Sequence, residues 1–266
     1  MRLSKMANLD FVEFHLTYND LLKADKLFSP EKTFDLGFAL HAPELFENDF
    51  LLDLASDDKK IAQLSIDKLK KVCDLATEMS EYFKNLEPVK IITNVGGFSQ
   101  NGFMPEDEKK KRYEILASSL EHFNDKNTEV IIQSMPPYPW HFGGQSYHNL
   151  FVDPFETKKF CEDTKRRVCL DISHSSMSSK FLNIDLDDFI SIIGDHTCYM
   201  HIADSYGLDG EGVDVGNGDV DFKALRESLD NYVSRDAWFI PEIWQGHKDN
   251  GWGFWNALHF LQENSF

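Results

Sequence analysis

Short runs of β-branched and aromatic residues alternate along this chain with longer amphipathic segments, and no other sequence feature limits the fold as strongly. Each run is mostly apolar over a few residues, as expected for a strand buried on both faces. Alternating strands and helices predict a parallel sheet with the helices outside it. The seven runs are DFVEFHL (10–16), LGFALHA (36–42), VKIITNV (89–95), TEVIIQS (128–134), RRVCLDIS (166–173), TCYMHIAD (197–204) and AWFIPEI (237–243).

The segments between the runs have helix signals. In the longest, residues 56–85, Ser56 is the predicted N-cap and acidic residues follow it. The predicted apolar face of this helix comprises Ile61, Leu64, Leu69, Val72, Leu75 and Ala76. Pro105 is predicted as the first helical residue of the segment 105–124. Three further predicted helices cover 153–164, 185–194 and 221–233.

Two α/β folds fit this pattern, a closed barrel and an open doubly wound sheet. An open nucleotide-binding sheet requires a glycine-rich turn after its first strand, whereas LTYNDLLK (16–23) contains no glycine. With 266 residues and no internal linker, the chain has the length of one α/β barrel, about 250 residues. We therefore predict a single (β/α)8-type TIM barrel domain over residues 1–266. Such a barrel has eight strands, so either its first strand is missing or it is open at an N-terminal seam, the edge beside residues 10–16.

Composition excludes several classes of protein. A formal net charge of −18 repels phosphate backbones and argues against a nucleic-acid partner, while a cation or a neutral sugar remains compatible. No apolar run is long enough to span a membrane, and the N-terminus lacks the apolar stretch of a signal peptide. The four cysteines form no CxxC pair. These features predict a cytoplasmic protein with reduced thiols.

The predicted strands end in polar side chains, where barrel enzymes carry their chemistry. Simpler explanations exist for single residues: Asp171 could cap the next helix, and His201 could hydrogen-bond backbone. A buried carboxylate at Glu242 requires an ion pair or a metal. Carboxylate, imidazole and amide oxygen together suit Mn²⁺, Mg²⁺, Co²⁺ or Zn²⁺. The strand-end residues are Glu13, His15, His41, Asn94, Gln133, Asp171, His174, His201, Asp204 and Glu242.

Three loop segments, 136–149, 207–222 and 243–255, are predicted to cover the mouth of the barrel. The first carries aromatic residues with a polar rim, suited to stacking on a sugar ring, although a rigid Pro/Gly loop packed on the barrel explains them as well. The third offers Trp244, His247 and Lys248. The second is rich in glycine but is acidic and lacks the GK[ST] of a phosphate loop. The predicted substrate-binding residues are His41, Trp140, His141, Asp204, Glu211, Trp244 and His247.

Four motifs together resemble the xylose-isomerase-like barrel superfamily, which includes sugar isomerases, sugar epimerases, hydroxypyruvate isomerases and the endonuclease IV type. They are HAP (41–43), DISH (171–174), HIAD (201–204) and PEIW (241–244). Longer segments resemble a barrel domain appended to sialic-acid-synthase-like proteins. These segments are EFHLTYNDL (13–21), HAPELFENDFLLDLAS (41–56), TNVGGFS (93–99), QSMPPYPWHFGGQSYHNLF (133–151) and PEIWQGHK (241–248).

The resemblance implies a divalent metal, Mn, Co, Mg or Zn, held by Gln133, Asp171, His201 and Glu242, with His174 beside the substrate. The superfamily usually has glutamate where this chain has Gln133, so the charge of the ligand set changes from −3 to −2. A carboxamide can ligate a metal but cannot act as a base. The endonuclease type needs further ligands that this chain lacks: the third strand ends in Asn94 instead of histidine, and Asp214 has no basic-His pair after it.

The predicted function is a metal-dependent isomerase of a sugar or sugar derivative, with proton transfer through a metal-bound enediol. Glu242 is the predicted base, and His174 orients the substrate. Because Gln133 removes one of two bases, isomerisation is favoured over two-base epimerisation. The alternative is a non-catalytic or weakly catalytic sugar-binding or partner module in nonulosonic (sialic) acid biosynthesis. That module would bind a synthase-like protein or self-associate through the N-terminal seam. A metal-dependent hydrolase or lyase is a third hypothesis.

Overall fold

The computed structural model describes residues 9–23, 33–84, 88–141 and 144–266. They form two compact units. The first comprises the described residues of 1–97 together with 110–132, and the second comprises the described residues of 98–109 and 133–266.

The first unit is built on four parallel strands that pair in chain order. These are β1 (Phe11–His15), β2 (Gly37–His41), β3 (Val89–Thr93) and β4 (Thr128–Gln133), whose last residue belongs to the second unit. Leu40 lies opposite Ile91, and Ile91 lies opposite Val130. All residues of β2 and β3 are buried, as the continuous apolar runs predict.

The helices of the first unit are α1 (Tyr18–Leu21), α2 (Lys59–Met79) and most of α3 (Glu106–Leu120), and a short 3₁₀ helix covers Glu47–Asp49. The predicted cap of α2 at Ser56 is wrong. Asp58 has the extended backbone of an N-cap, and its carboxylate accepts a hydrogen bond from the Lys60 N–H at 2.8 Å. The predicted apolar face is correct from Leu69 onwards but wrong at its start, because Ile61 and Leu64 are exposed and Ile66 is buried instead.

The second unit contains three more parallel strands, β5 (Val168–Asp171), β6 (Thr197–Ile202) and β7 (Trp238–Pro241). The central strand β6 pairs with both others, so that His201 lies opposite Asp171 on one side and Ile240 on the other. The helices are α4 (Pro154–Thr164), α5 (Ile172–Leu182), α6 (Leu186–Ile193), α7 (Phe222–Tyr232) and α8 (Lys248–Glu263).

Three small antiparallel pairs complete the second unit: Phe98–Ser99 with Tyr147–His148, Trp140–His141 with Gly144–Gln145, and Asp204–Tyr206 with Gly210–Val213. A 3₁₀ turn, Gly194–His196, leads into β6.

The described residues contain seven parallel strands, at the positions of the seven predicted runs. Residues 1–8, which precede the first predicted strand, lie outside the described residues. None of the helices in the described ranges has the length and apolar character needed to cross a membrane. No disulfide joins the four cysteines, all of which lie within those ranges.

Candidate metal centre

The carboxyl ends of β5, β6 and β7 bring three predicted ligands together. Asp171 ends β5, His201 lies on β6, and Glu242 directly follows β7, where its N–H donates to the Ile202 carbonyl at 3.1 Å. The His201 Nδ1 lies 2.6 Å from the Glu242 Oε2 and 3.7 Å from the Asp171 Oδ2. One donor atom from each of the three residues lies within 4.8 Å of the other two.

This cluster has the composition of a divalent cation site. The side chains of Asp171 and His201 are almost completely buried, whereas that of Glu242 is 27% exposed. Two carboxylates beside one imidazole concentrate negative charge where solvent screens it poorly, and a bound cation would offset that charge. Carboxylate oxygen and imidazole nitrogen are donors that Mn²⁺, Co²⁺ and Zn²⁺ accept. The residues present therefore fit the metal that the resemblance implies.

Asp171 combines two roles that the sequence presented as alternatives. Its Oδ1 accepts the His174 N–H at 2.8 Å and caps helix α5. Its Oδ2 faces the two imidazoles, at 3.4 Å from the His174 Nδ1 and 3.7 Å from the His201 Nδ1. The Asp171 Oδ1 thus caps the helix, while the Oδ2 belongs to the cluster.

The end of β4 is attached to β5 through Ser134, the residue after the buried Gln133. The Ser134 N–H donates to the Cys169 carbonyl at 2.9 Å, and the Asp171 N–H donates to the Ser134 Oγ at 3.0 Å. The Ser134 hydroxyl also lies 3.0 Å from the hydroxyl of Ser175 on α5. Sequence reasoning gave these serines no part in the site, and only Ser175 had a signal, the density of serine in the segment 173–179.

His174 is held at both ring nitrogens. Its Nδ1 donates to the Ser134 carbonyl at 2.9 Å, and its Nε2 lies 3.1 Å from the Glu211 carboxylate. Burial opposes protonation of His174, but the nearby negative charge of Asp171 and the hydrogen bond to Glu211 outweigh it and raise the pKa to about 10. Glu211, predicted to contact substrate, is thereby placed beside the histidine predicted to orient it.

Asp204 anchors the loop that follows β6. Its buried carboxylate accepts four backbone N–H groups at 2.8–3.1 Å, and these donors belong to Ser205, Gly216, Gly218 and Val220. Because both oxygens are used in this way, Asp204 has a structural function in the loop. Its contact with substrate stays a prediction without support from this geometry.

The remaining predicted substrate residues occupy varied positions. Trp140 and Trp244 are exposed, and the Trp244 N–H donates to the Gly212 carbonyl beside Glu211 at 2.8 Å. His141 packs near the rings of Phe98 and His148, and His247 precedes α8. His41 lies in the first unit, and its Nδ1 is 3.0 Å from the Ala42 carbonyl. Their contacts with a substrate stay predictions.

Comparisons with known proteins agree with this architecture. The chain is 24% identical over 227 residues to the uncharacterized protein MJ1614 of Methanocaldococcus jannaschii, a match that covers 82% of this chain and 76% of the relative. Among solved structures, L-ribulose 3-epimerase superposes with a TM-score of 0.64 at 17% identity, covering 98% of this chain and 85% of the other. Further sugar 3-epimerases are also similar.

Endonuclease IV from Thermus thermophilus has the same architecture, with a TM-score of 0.54, 16% identity and coverage of 95% of this chain and 99% of the other. At such identities these likenesses show the fold alone. The predicted link to sialic-acid-synthase-like proteins stays a prediction.

The family model described as "Xylose isomerase-like TIM barrel" matches residues 1–261. The predicted fold class is thus confirmed, and the chain belongs to the xylose isomerase-like TIM barrel family.

Proposed function

We propose that this protein is a divalent-metal-dependent isomerase of a sugar or sugar derivative. The observation that carries the proposal is the convergence of Asp171, His201 and Glu242 at the carboxyl ends of three adjacent strands. Sugar 3-epimerases are among the structures that share the fold. Together these support proton transfer on a sugar.

Asp171, His201 and Glu242 would hold the metal, with the carboxamide of Gln133 as a fourth ligand. When bound, a divalent cation supplies Lewis-acid polarisation of a carbonyl oxygen, which makes the adjacent C–H more acidic. The chain's own residues must then move the proton and hold the sugar.

Glu242 is the base in this proposal. Of the three clustered side chains it alone has appreciable exposure, so it is the one that a substrate carbon can approach. Its carboxylate would take a proton from the hydroxyl-bearing carbon next to the carbonyl and return it to the former carbonyl carbon, while the proton of that hydroxyl passes to the former carbonyl oxygen. The His201 Nδ1 lies 2.6 Å from the Glu242 Oε2, so both atoms would face the same metal.

His174 would orient the substrate through a hydrogen bond to one of its oxygens. Its ring is fixed through Nδ1 by the Ser134 carbonyl, so that Nε2 points toward the hairpin that carries Glu211. A sugar hydroxyl placed between Nε2 and Glu211 could accept from one and donate to the other. His174 on α5 and Glu211 on the hairpin are thus both held in place by the protein itself.

Gln133 favours isomerisation over two-base epimerisation. An enzyme that inverts a carbon with two bases needs a carboxylate on each face of the sugar, whereas an aldose–ketose isomerase can move one proton on one face. A carboxamide cannot act as the second base. We therefore expect interconversion of an aldose and a ketose.

The test compares the wild type with Glu242→Gln, and with Glu263→Gln as a control at an exposed glutamate of α8. Each protein is analysed for bound metal after dialysis against Mn²⁺, Co²⁺ or Zn²⁺, and is then incubated with aldoses and ketoses in D2O and followed by NMR. We expect about one metal per site and deuterium incorporation at carbon in the wild type and the control. Glu242→Gln should bind metal more weakly and exchange deuterium at least about 100-fold more slowly.

Failure of the cluster to bind any of these metals would contradict the proposal. Metal and sugar binding without deuterium exchange would instead favour the non-catalytic sugar-binding module, the second candidate. The replacement of the usual glutamate by Gln133 favours that candidate, because it removes a charge from the ligand set. Inversion of a stereocentre in the product would contradict the preference for isomerisation.

A further inference from the structure

The second unit contains three asparagines that are each followed by glycine. These dipeptides are Asn101–Gly102, Asn217–Gly218 and Asn250–Gly251. Asparagine before glycine is prone to spontaneous deamidation, because glycine has no Cβ to hinder attack of its backbone nitrogen on the asparagine side chain. All three asparagines are exposed to water, so exposure does not distinguish them. The hydrogen bonding of the glycine N–H does.

In two of the dipeptides the glycine N–H is held by an acceptor. The Gly218 N–H donates to the Asp204 carboxylate at 2.8 Å, and the Gly251 N–H donates to the His247 carbonyl at 3.2 Å. A Cβ at Gly218 would also clash with the Ser205 carbonyl oxygen, which shows how closely the backbone is packed there. Each nitrogen must leave its acceptor before it can attack the asparagine side chain, and deamidation is therefore disfavoured at both positions.

Gly102 is held much less firmly. Its N–H has no hydrogen-bond acceptor among the described residues. Apart from its chain neighbours, no heavy atom lies within 4 Å of the position that a Cβ would take. Its φ of +133° is a backbone conformation open to glycine. The Gly102 nitrogen can therefore turn toward the Asn101 side chain without breaking a hydrogen bond.

We propose that Asn101 is a site of spontaneous deamidation, while the fold protects Asn217 and Asn250. Hydroxide removes the proton of the Gly102 N–H, the nitrogen bonds to the Asn101 Cγ, and ammonia leaves with a proton taken from water. Water then opens the five-membered imide at either carbonyl, which gives aspartate or isoaspartate at position 101. The reaction needs only water and hydroxide, and it is independent of the proposed function.

The loop that contains Asn101 is fixed on both sides of the dipeptide. The Asn149 side chain accepts the Met104 N–H at 2.7 Å and donates to the Ser99 hydroxyl at 3.0 Å. The Ser99 hydroxyl in turn donates to the Gly102 carbonyl at 2.6 Å. Isoaspartate carries the backbone through its side chain, which adds one methylene group between these fixed points. We therefore expect the modification to distort the loop.

Phe103 follows the dipeptide and packs in an aromatic cluster. Its ring centroid lies 5.6 Å from that of Tyr138, 5.0 Å from that of Tyr147 and 4.9 Å from that of Phe181. Tyr138 and Tyr147 belong to the segment 136–149, which is predicted to cover the mouth of the barrel. Displacement of Phe103 would loosen this cluster.

The test follows the three asparagines in one sample of the folded wild type. The protein is incubated in mildly alkaline water labelled with heavy oxygen, digested in ordinary water, and analysed by mass spectrometry with separation of aspartyl and isoaspartyl peptides. Breaking a hydrogen bond to a neutral carbonyl costs less than breaking one to a carboxylate. We therefore expect Asn101 to react about 3–10-fold faster than Asn250 and at least about tenfold faster than Asn217. In urea the three rates should become similar, because the protecting hydrogen bonds are lost.

Two variants separate the effects of charge and of backbone length. Asn101→Gln should give no labelled product at this position, because its longer side chain would have to close a six-membered ring. Asn101→Asp is the matched control, with the new charge on a normal backbone. Chymotrypsin should cut the loop faster in incubated wild type than in fresh wild type. Incubated Asn101→Gln and fresh Asn101→Asp should be cut as slowly as fresh wild type.

Two results would overturn the proposal. One is the absence of labelled product at Asn101 in the folded protein. The other is a rate at Asn101 that exceeds those at Asn217 and Asn250 no more in the folded protein than in urea, because sequence alone would then set the rates. Equal cleavage of fresh and incubated wild type would overturn the expected distortion of the loop.

Discussion

At the scale of single residues, Gln133 offers a direct test of the proposed ligand set of the candidate centre. It ends β4 as a buried carboxamide, next to the serine that joins β4 to β5. Gln133→Glu would raise the negative charge of the ligand set from two to three. Because the attraction between a buried carboxylate and a divalent cation is screened only weakly, we expect Mn²⁺ affinity to rise by about tenfold or more.

Isothermal titration calorimetry at pH 7 checks this expectation. Gln145→Glu is the control, since Gln145 is exposed on the short strand Gly144–Gln145. This substitution adds the same charge elsewhere in the second unit. Equal affinities in Gln133→Glu and the wild type would show that residue 133 does not reach the metal.

Individual residues also show where sequence reasoning succeeded and where it could not. The meeting of Asp171, His201 and Glu242 was predictable because each lies at or directly after the end of an apolar strand, and adjacent parallel strands end at one edge. The contacts of Ser134 and Glu211 with His174 were not, because they depend on how a loop and a hairpin fold back over α5. No local sequence pattern encodes such contacts.

At the scale of elements, the hairpin Asp204–Tyr206/Gly210–Val213 positions Glu211. Gly212 has φ +66°, and a Cβ there would lie 3.1 Å from the Trp244 backbone nitrogen, so glycine allows the close approach. Its N–H donates to the Ser173 hydroxyl at 3.0 Å, and its carbonyl accepts from Trp244 at 2.8 Å. The hairpin is therefore fixed to α5 on one side and to the segment after β7 on the other.

Asp204→Asn tests the loop that continues from this hairpin. The amide would replace one carboxylate oxygen by a donor, leaving two of the four N–H groups without an acceptor. We expect the free energy of unfolding to fall by about 3 kcal/mol, measured by urea denaturation. Asp209→Asn, at an exposed position of the hairpin turn, should change it by less than about 0.5 kcal/mol. A loss of similar size in both variants would contradict the anchoring role.

Helix boundaries illustrate a second limit of the sequence. Ser56 and Asp58 are both good N-cap residues, and their order along the chain cannot decide between them. Ser56 is buried, whereas the Asp58 carboxylate accepts a hydrogen bond from the Lys60 N–H in the first turn of α2. The choice is made by packing of the preceding segment, and it shifts which residues of the first turns face the core.

At the scale of the whole molecule, a lower pH should reduce the free energy of unfolding because His148 is buried in its neutral form. Burial, together with the neighbouring His141 and His174, lowers the pKa of His148 to about 3. Between the ordinary pKa of 6.5 and that value, the unfolded chain binds a proton that the folded chain does not. Stability therefore decreases as pH falls, by about 2 kcal/mol between pH 7 and pH 5 from this residue.

Urea denaturation of the wild type and His148→Asn at both pH values measures this contribution as a difference. The variant should lose about 2 kcal/mol less than the wild type on acidification. His122→Asn, at an exposed histidine, should behave like the wild type. An identical loss in His148→Asn and the wild type would show that residue 148 does not remain neutral in the folded state.

The overall fold was the most predictable level, because strand and helix periodicities recur along the chain and the motifs fall in the expected order. The division of the contacts into two compact units was not predictable. Strand alternation specifies which elements are neighbours but contains no information on how densely each group of elements packs.

The uneven burial of the candidate centre has a kinetic consequence. Asp171 and His201 are closed off from solvent, so in the proposed metal-bound state Glu242 would be the ligand on the solvent-exposed side. Release of the ion would then require the Glu242 side chain to move while the two buried donors still hold the ion, and we expect dissociation to be slow even where the equilibrium affinity is moderate. The metal carried by the protein would consequently be the one available when the chain folded, and it would be retained long after the surrounding supply had changed.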